Sequence, residues 1–196
     1  MSGNATNRAE GSGQALSGLE ELIASSSEGG LPPVHLWNPP YCGEIGMRIA
    51  SDGTWFYQNS PIGRKRLVRL FSSVLRRDED GRHYLVTPVE KIGIDVDDAP
   101  FLAVEMLVEG VGQKQKLSFR TNVDDVVHCG ADNPLRFELE ERSGGLKPYL
   151  LVRGRLEALV TRALYYDLVE LAVWRGEGAQ ARFGIWSSGA FFEMGA

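Results

Sequence analysis

The chain is poor in the residues that most often advertise a chemistry. It has two cysteines, Cys42 and Cys129, too few for a disulfide framework. Its three histidines, His35, His83 and His128, are far apart in sequence. His128 and Cys129 are neighbours on a predicted strand, so they face opposite sides and do not share a metal. No G-x-S-x-G, H-E-x-x-H, C-x-x-C or G-x-x-x-x-G-K-S/T occurs. No apolar run has bilayer-spanning length, and the N-terminus lacks a basic-then-apolar signal pattern. A net charge of −5 over 196 residues argues against broad phosphate neutralisation. These absences predict a cytoplasmic chain with no membrane span, no nucleic-acid partner, no cofactor, no metal site and no identifiable catalytic residue.

The most informative stretch runs from Ser51 to Lys91. Ser51-Asp52-Gly53 is a turn signal, and the aromatic Thr54–Tyr57 that follows predicts a strand. Ser60-Pro61 predicts a helix start, with the serine as cap and proline at the first position. Leu67, Leu70, Phe71, Val74 and Leu75 then recur at helical period, with Lys65, Arg69 and Arg76 opposite. Asp80-Gly81 ends the run, and His83–Thr87 is the next strand. Arg64, Lys65 and Arg66 crowd the positive end of the helix. They are either solvated or paired with nearby carboxylates, or, with Arg64 foremost, part of an anion site.

Around this stretch, residues 1–30 predict a disordered tail followed by a short amphipathic helix from about Gln14 to Ser26. The four prolines between Leu31 and Pro40 exclude a helix there, and Trp37 is expected to pack the segment onto the body. Ile45–Ile49 is expected as a strand. Past Lys91, strands are expected at Ile92–Val96, Phe101–Glu109, Lys114–Arg120, Asp124–His128, Leu135–Glu141 and Tyr149–Val160, as an antiparallel meander. Thr161–Trp174 is expected as a helix and Ala181–Trp186 as the closing strand.

The two ends of this pattern match each other, through an internal duplication or through convergent helix patterning. Setting Ile62 on Val160 brings Arg64 onto Arg162, Leu70 onto Leu168 and Leu75 onto Val173, and with one gap Tyr84–Thr87 meets Phe183–Trp186. Each copy reads strand, helix of about fourteen residues, glycine turn, strand. The expected fold class is therefore α+β, mainly antiparallel, with two related β-rich halves at 31–95 and 96–196.

The candidate ligand-binding residues are Arg64 and Arg162 at the paired helix starts, Lys91, and Arg120, Arg153 and Arg155 near the seam. Trp55 and Tyr57 are candidates for stacking. Arg suits carboxylates and phosphates because its planar fork matches their geometry. Asp95, Asp97 and Asp98 are a weaker set of oxygen donors for a divalent ion, read first as a solvated turn. Glu90 and Lys91 read first as a surface ion pair rather than an acid/base pair.

Trp37-Asn38-Pro39-Pro40 and the blocks DGTWFYQNSPIGR, YLVTPVEK and PYLLVRGRLEALVTRALYYDLVE resemble the bacterial family called domain of unknown function 1285 (DUF1285). The resemblance runs from about Leu31 onward. It implies two related motifs, a C-terminal half superficially like a pleckstrin-homology domain, a nucleotide-like ligand between the halves, and a role in signalling. It supplies no catalytic residues. The leading expectation is a non-enzymatic protein that binds a small anionic ligand. The alternatives are a protein-interaction module acting through the pleckstrin-like half, and a metal-dependent hydrolase or transferase using Glu90 and Asp95–Asp98.

Overall fold

A computed structural model describes residues 30–141 and 144–195. The expected tail and the helix near Gln14–Ser26 lie outside the described residues. The chain divides into two compact units. One reaches to Arg48 and resumes over Trp55–Asp95, and the other joins Ile49–Thr54 to the chain from Val96 onward.

Among the described residues the first unit is a six-stranded sheet with one α-helix. Its strands are β1 (Tyr41–Ile49), β2 (Trp55–Tyr57), β3 (Ser60–Pro61), β4 (Leu75–Arg77), β5 (His83–Val86) and β6 (Lys91–Val96), in the order β3-β2-β1-β6-β5-β4. Helix α1 (Lys65–Ser73) buries Leu67 and Phe71 against a core that includes Met47, Trp55, Leu75, Leu85 and Val86.

Two expectations about α1 need correction. Ser60-Pro61 does not open the helix: it is strand β3, paired with Phe56 and Tyr57 across a tight turn. Gln58 and Asn59 both adopt positive φ (47° and 65°), as the primed hairpin turns require. Proline is tolerated at this edge because, among the described residues, no strand lies beyond β3 to take its missing N–H. The helix also stops early, at Ser73. The Ser72 and Ser73 hydroxyls donate back to the carbonyls of Arg69 and Leu70 at 2.8 and 2.7 Å. Those bonds occupy the helix's last carbonyls, and Leu75 is buried from a strand.

The Pro-rich entry segment carries a single 3₁₀ turn, Val34–Leu36, despite its prolines. Trp37 is half-buried, while Pro32 and Pro39 are buried. Arg76 does not project outward as expected. It donates to the carbonyls of Val34 and Trp37 at 2.8 and 2.7 Å and to Asp78 at 2.6 Å, fastening this segment to β4.

The second unit holds a six-stranded and a three-stranded sheet. The larger comprises β7 (Phe101–Glu109), β8 (Lys116–Thr121), β9 (Val126–His128), β10 (Leu135–Leu139), β11 (Leu146–Arg153) and β12 (Leu156–Val160), ordered β10-β11-β12-β7-β8-β9. The expected single strand Tyr149–Val160 is the hairpin β11–β12, turned at Gly154-Arg155 with Gly154 at φ 54°. The sheet is not a simple meander, because β12 runs parallel to β7, with Ala158 opposite Phe101. Helix α2 (Arg162–Leu171) leaves directly from β12. The smaller sheet is β13 (Val173–Arg175), β14 (Arg182–Ser187) and β15 (Ala190–Glu193). The two sheets are stitched by the buried Ser187, whose Oγ accepts from Leu117 N at 2.9 Å and donates to Cys129 O at 2.7 Å.

The expected helix to Trp174 thus ends at Leu171, and the next strand starts at Val173. The match between the two ends extends through this difference. Leu75 and Val173, aligned in the sequence, each open the strand that follows a helix of nine or ten residues. In each half that strand is followed by an antiparallel hairpin partner and a third strand. This shared succession fits a duplication.

Candidate functional site

In the first unit Trp55 is in the core, 1% exposed, stacked on Phe71. A ring so enclosed offers no face to a ligand, which corrects its expected role. Tyr57 is half-buried on β2, and Gln58 Nε2 donates to its hydroxyl at 3.4 Å. Lys91 pairs with Asp78 at 3.2 Å, not with the adjacent Glu90, and sits 4.6 Å from the Tyr84 ring centre. Burial alone would raise the Asp78 pKa, but the Arg76 and Lys91 hydrogen bonds outweigh it and hold the carboxyl below its ordinary value. Arg64 is exposed at the start of α1.

In the second unit Arg120 bridges Glu105 and Asp124. Arg153 donates to Asp125 at 2.5 Å and covers the Phe101 ring at 4.9 Å. These two arginines grip adjacent aspartates of one loop, and Arg155 is exposed on the β11–β12 turn. Asp98 is not a solvated turn residue: Lys147 donates to it at 2.9 Å and Tyr149 at 2.7 Å. Among the described residues no three His, Cys, Asp or Glu side chains gather as a metal site.

Arg162 is placed differently. It is the first residue of α2, whose opening turn has no acidic residue and whose N-cap Thr161 makes no side-chain capping bond. The helix start therefore presents uncompensated positive charge. Arg162 Nε donates to Tyr166 Oη at 3.1 Å, with the guanidinium carbon 5.9 Å from that ring's centre. That hydrogen bond keeps its pKa above the ordinary arginine value. Among the described residues no carboxylate pairs with it.

Arg162 lies on a cavity of about 460 Å³, within the range of small-molecule sites. Pro148, Leu159 and Val160 supply its apolar lining, and Tyr165 and Tyr166 line it from α2 with ring centres 6.0 Å apart. Lys147 stands on the same cavity between Asp98 and Glu140, at 2.9 and 3.1 Å. The Asp98 bond, followed by that to Glu140, raises its pKa and keeps it charged. Burial, then the Asp98 bond, likewise raises the Tyr149 phenol.

Lys147, Tyr165 and Tyr166 were not singled out in the sequence. The tyrosine pair had a legible signal: it stands three and four residues after Arg162, the spacing that shares one helix face. Lys147 had none, because only the folding of β11 beside α2 brings it to the cavity.

Family models for DUF1285 match both halves, the N-terminal domain over residues 32–99 and the C-terminal domain over 100–194. The chain belongs to the DUF1285 family. A crystal structure of a family member from Silicibacter pomeroyi DSS-3 is 51% identical, covering 90% of this chain and 93% of that one, with a TM-score of 0.81. A second, from Shewanella baltica OS155, is 26% identical over 64% of this chain and 91% of that one, with a TM-score of 0.51. No curated protein matches. No described helix is long and apolar enough to cross a membrane.

Proposed function

We propose that this DUF1285 protein is a non-enzymatic receptor for a small, anionic, nucleotide-like ligand, used in signal transduction. The ligand occupies the cavity at the start of α2. Arg162 and the free helix terminus take a phosphate, Tyr165 and Tyr166 offer ring faces to a base, and Lys147, itself paired with Asp98 and Glu140, offsets their negative charge beside it. The observation that carries this reading is Arg162: a cation on a partly apolar cavity, hydrogen-bonded to a tyrosine and, among the described residues, to no acid. Binding without turnover fits a site whose polar groups are cations and phenols, with the carboxylate Glu140 held by Lys147.

Thermal denaturation against inorganic phosphate, pyrophosphate, AMP and adenosine tests it. The phosphorylated members should raise the midpoint by mass action, AMP more than phosphate, and adenosine little. Arg162→Ala should remove the gain, and the nucleotides should be recovered unchanged. A flat response across the panel, or an undiminished gain in Arg162→Ala, rejects the reading.

A further inference from the structure

The α2 cavity has apolar walls but little spare positive charge. Among the described residues its charged lining is Glu140, Lys147 and Arg162. Lys147 is held by two carboxylates, Asp98 at 2.9 Å and Glu140 at 3.1 Å. Asp98 also accepts from the Tyr149 hydroxyl at 2.7 Å, which fixes it in place. Two carboxylates, one ammonium and one guanidinium therefore cancel. Arg162 is the cation on this lining that no acid among the described residues pairs with.

Glu140 is held where it stands. It follows the end of β10, and its main chain is tied twice to the far side of the turn: Glu140 N donates to the Gly145 carbonyl, and the Glu140 carbonyl accepts from Gly144 N, each at 2.8 Å. Gly144 supplies the positive φ of that turn, 68°. The Glu140 side chain is 37% exposed, so protein rather than water surrounds much of it and its charge is incompletely screened inside the cavity.

Taking the α2 cavity as the ligand site proposed above, we infer that Glu140 sets the ligand class: the site takes a phosphomonoester, as in a nucleoside monophosphate, and rejects the corresponding di- and triphosphates. One phosphate is met by Arg162 and the start of α2. Each further phosphate adds negative charge and finds no unspent cation on the described lining, while Glu140 repels it. A pocket built for polyphosphates gathers several cations about the phosphates instead.

The test is isothermal titration calorimetry of the full chain with AMP, ADP and ATP, without divalent ions. In the parent, affinity should fall in that order, with ATP at least about tenfold weaker than AMP. Glu140→Gln keeps the size of the side chain and removes its charge. It should tighten ATP and narrow the gap between AMP and ATP by at least about threefold, and extra room cannot be the reason. Glu140→Ser should narrow the gap too, and gives the same reading if glutamine perturbs the fold. Glu109→Gln, which removes one charge from the end of β7 and off the cavity lining, should leave the gap as in the parent. The inference is overturned if ATP binds the parent as tightly as AMP, or if both Glu140 variants keep the parent's gap. Either result, with AMP binding that Arg162→Ala abolishes, removes the role of Glu140 and leaves the cavity a phosphate site. Absence of binding by all three nucleotides, in the parent and in both variants, overturns the two together.

Discussion

The indole of Trp55 stacks on the ring of Phe71, centres 6.4 Å apart and planes at 24°, and its Nε1 donates to no acceptor among the described residues. Each half of that relationship acts on stability in an opposite direction. Removing the indole forfeits buried contact, while removing an unpaired buried N–H recovers about 1–3 kcal/mol. Trp55→Phe should therefore shift urea stability by less than about 1 kcal/mol, against about 3–5 kcal/mol lost in Trp55→Ala. A Trp55→Phe loss close to the alanine value would mean that Nε1 is satisfied in solution.

Gly184, in the middle of β14, is a glycine for reasons of space. A Cβ built there would lie 2.3 Å from the Phe192 carbonyl oxygen and 2.8 Å from the Phe191 ring. Backbone cannot move aside as a flexible side chain can, so Gly184→Ala should cost about 3 kcal/mol or more. Gly63, just before α1, has nothing within 4 Å of the same position. Gly63→Ala should leave the thermal midpoint within a degree or two, and parallel melts of both variants decide the matter.

These contacts show where the sequence could and could not be read. The apolar period of α1 and the alternation of β7 and β8 are local, so those elements were legible. Both helix ends were misplaced in the same way because Val74 and Leu75, and Ala172 and Val173, continue the apolar period past the last helical turn, although Leu75 is buried from a strand and Val173 is exposed on one. An apolar period of this kind does not distinguish a helix from the start of the strand that follows it. The Ser60-Pro61 error has another source: a residue pair that caps helices also suits an edge strand, and only the Gln58-Asn59 turn decides. At the candidate site, Arg162 was found by its place at a helix start. The Glu105 partner of Arg120 and the Asp125 partner of Arg153 lie 15 and 28 residues away, which no spacing rule reaches.

Arg76 joins distant parts of the first unit, so its geometry can be tested by a conservative change. Its guanidinium meets the Val34 and Trp37 carbonyls and both Asp78 oxygens at once. Lysine keeps the charge but not the fork. Arg76→Lys should cost about 2 kcal/mol and expose the Leu31–Pro40 segment to proteolysis well before global unfolding. Cleavage that tracks global unfolding in both proteins would show that the fork does not hold the segment.

Burial, reinforced by Arg77, lowers the His83 pKa to about 4 from an ordinary value near 6.5. Above pH 6.5 the ring is neutral in both folded and unfolded chains, and it contributes no pH dependence. As pH falls from 6.5 toward 4 the unfolded chain takes up the proton and the folded chain does not, so the folded state loses up to roughly 3 kcal/mol across that window. Below about 4 the folded ring protonates too and the loss levels off. Stability measured by urea from pH 7.5 to 4 should therefore fall in the parent, and His83→Gln, which cannot titrate, should flatten the slope between 6.5 and 4. Asp78 titrates below that interval, because its carboxyl is held under its ordinary value, so it does not supply the same slope. Equal slopes in parent and variant would place His83 in contact with water and free to charge.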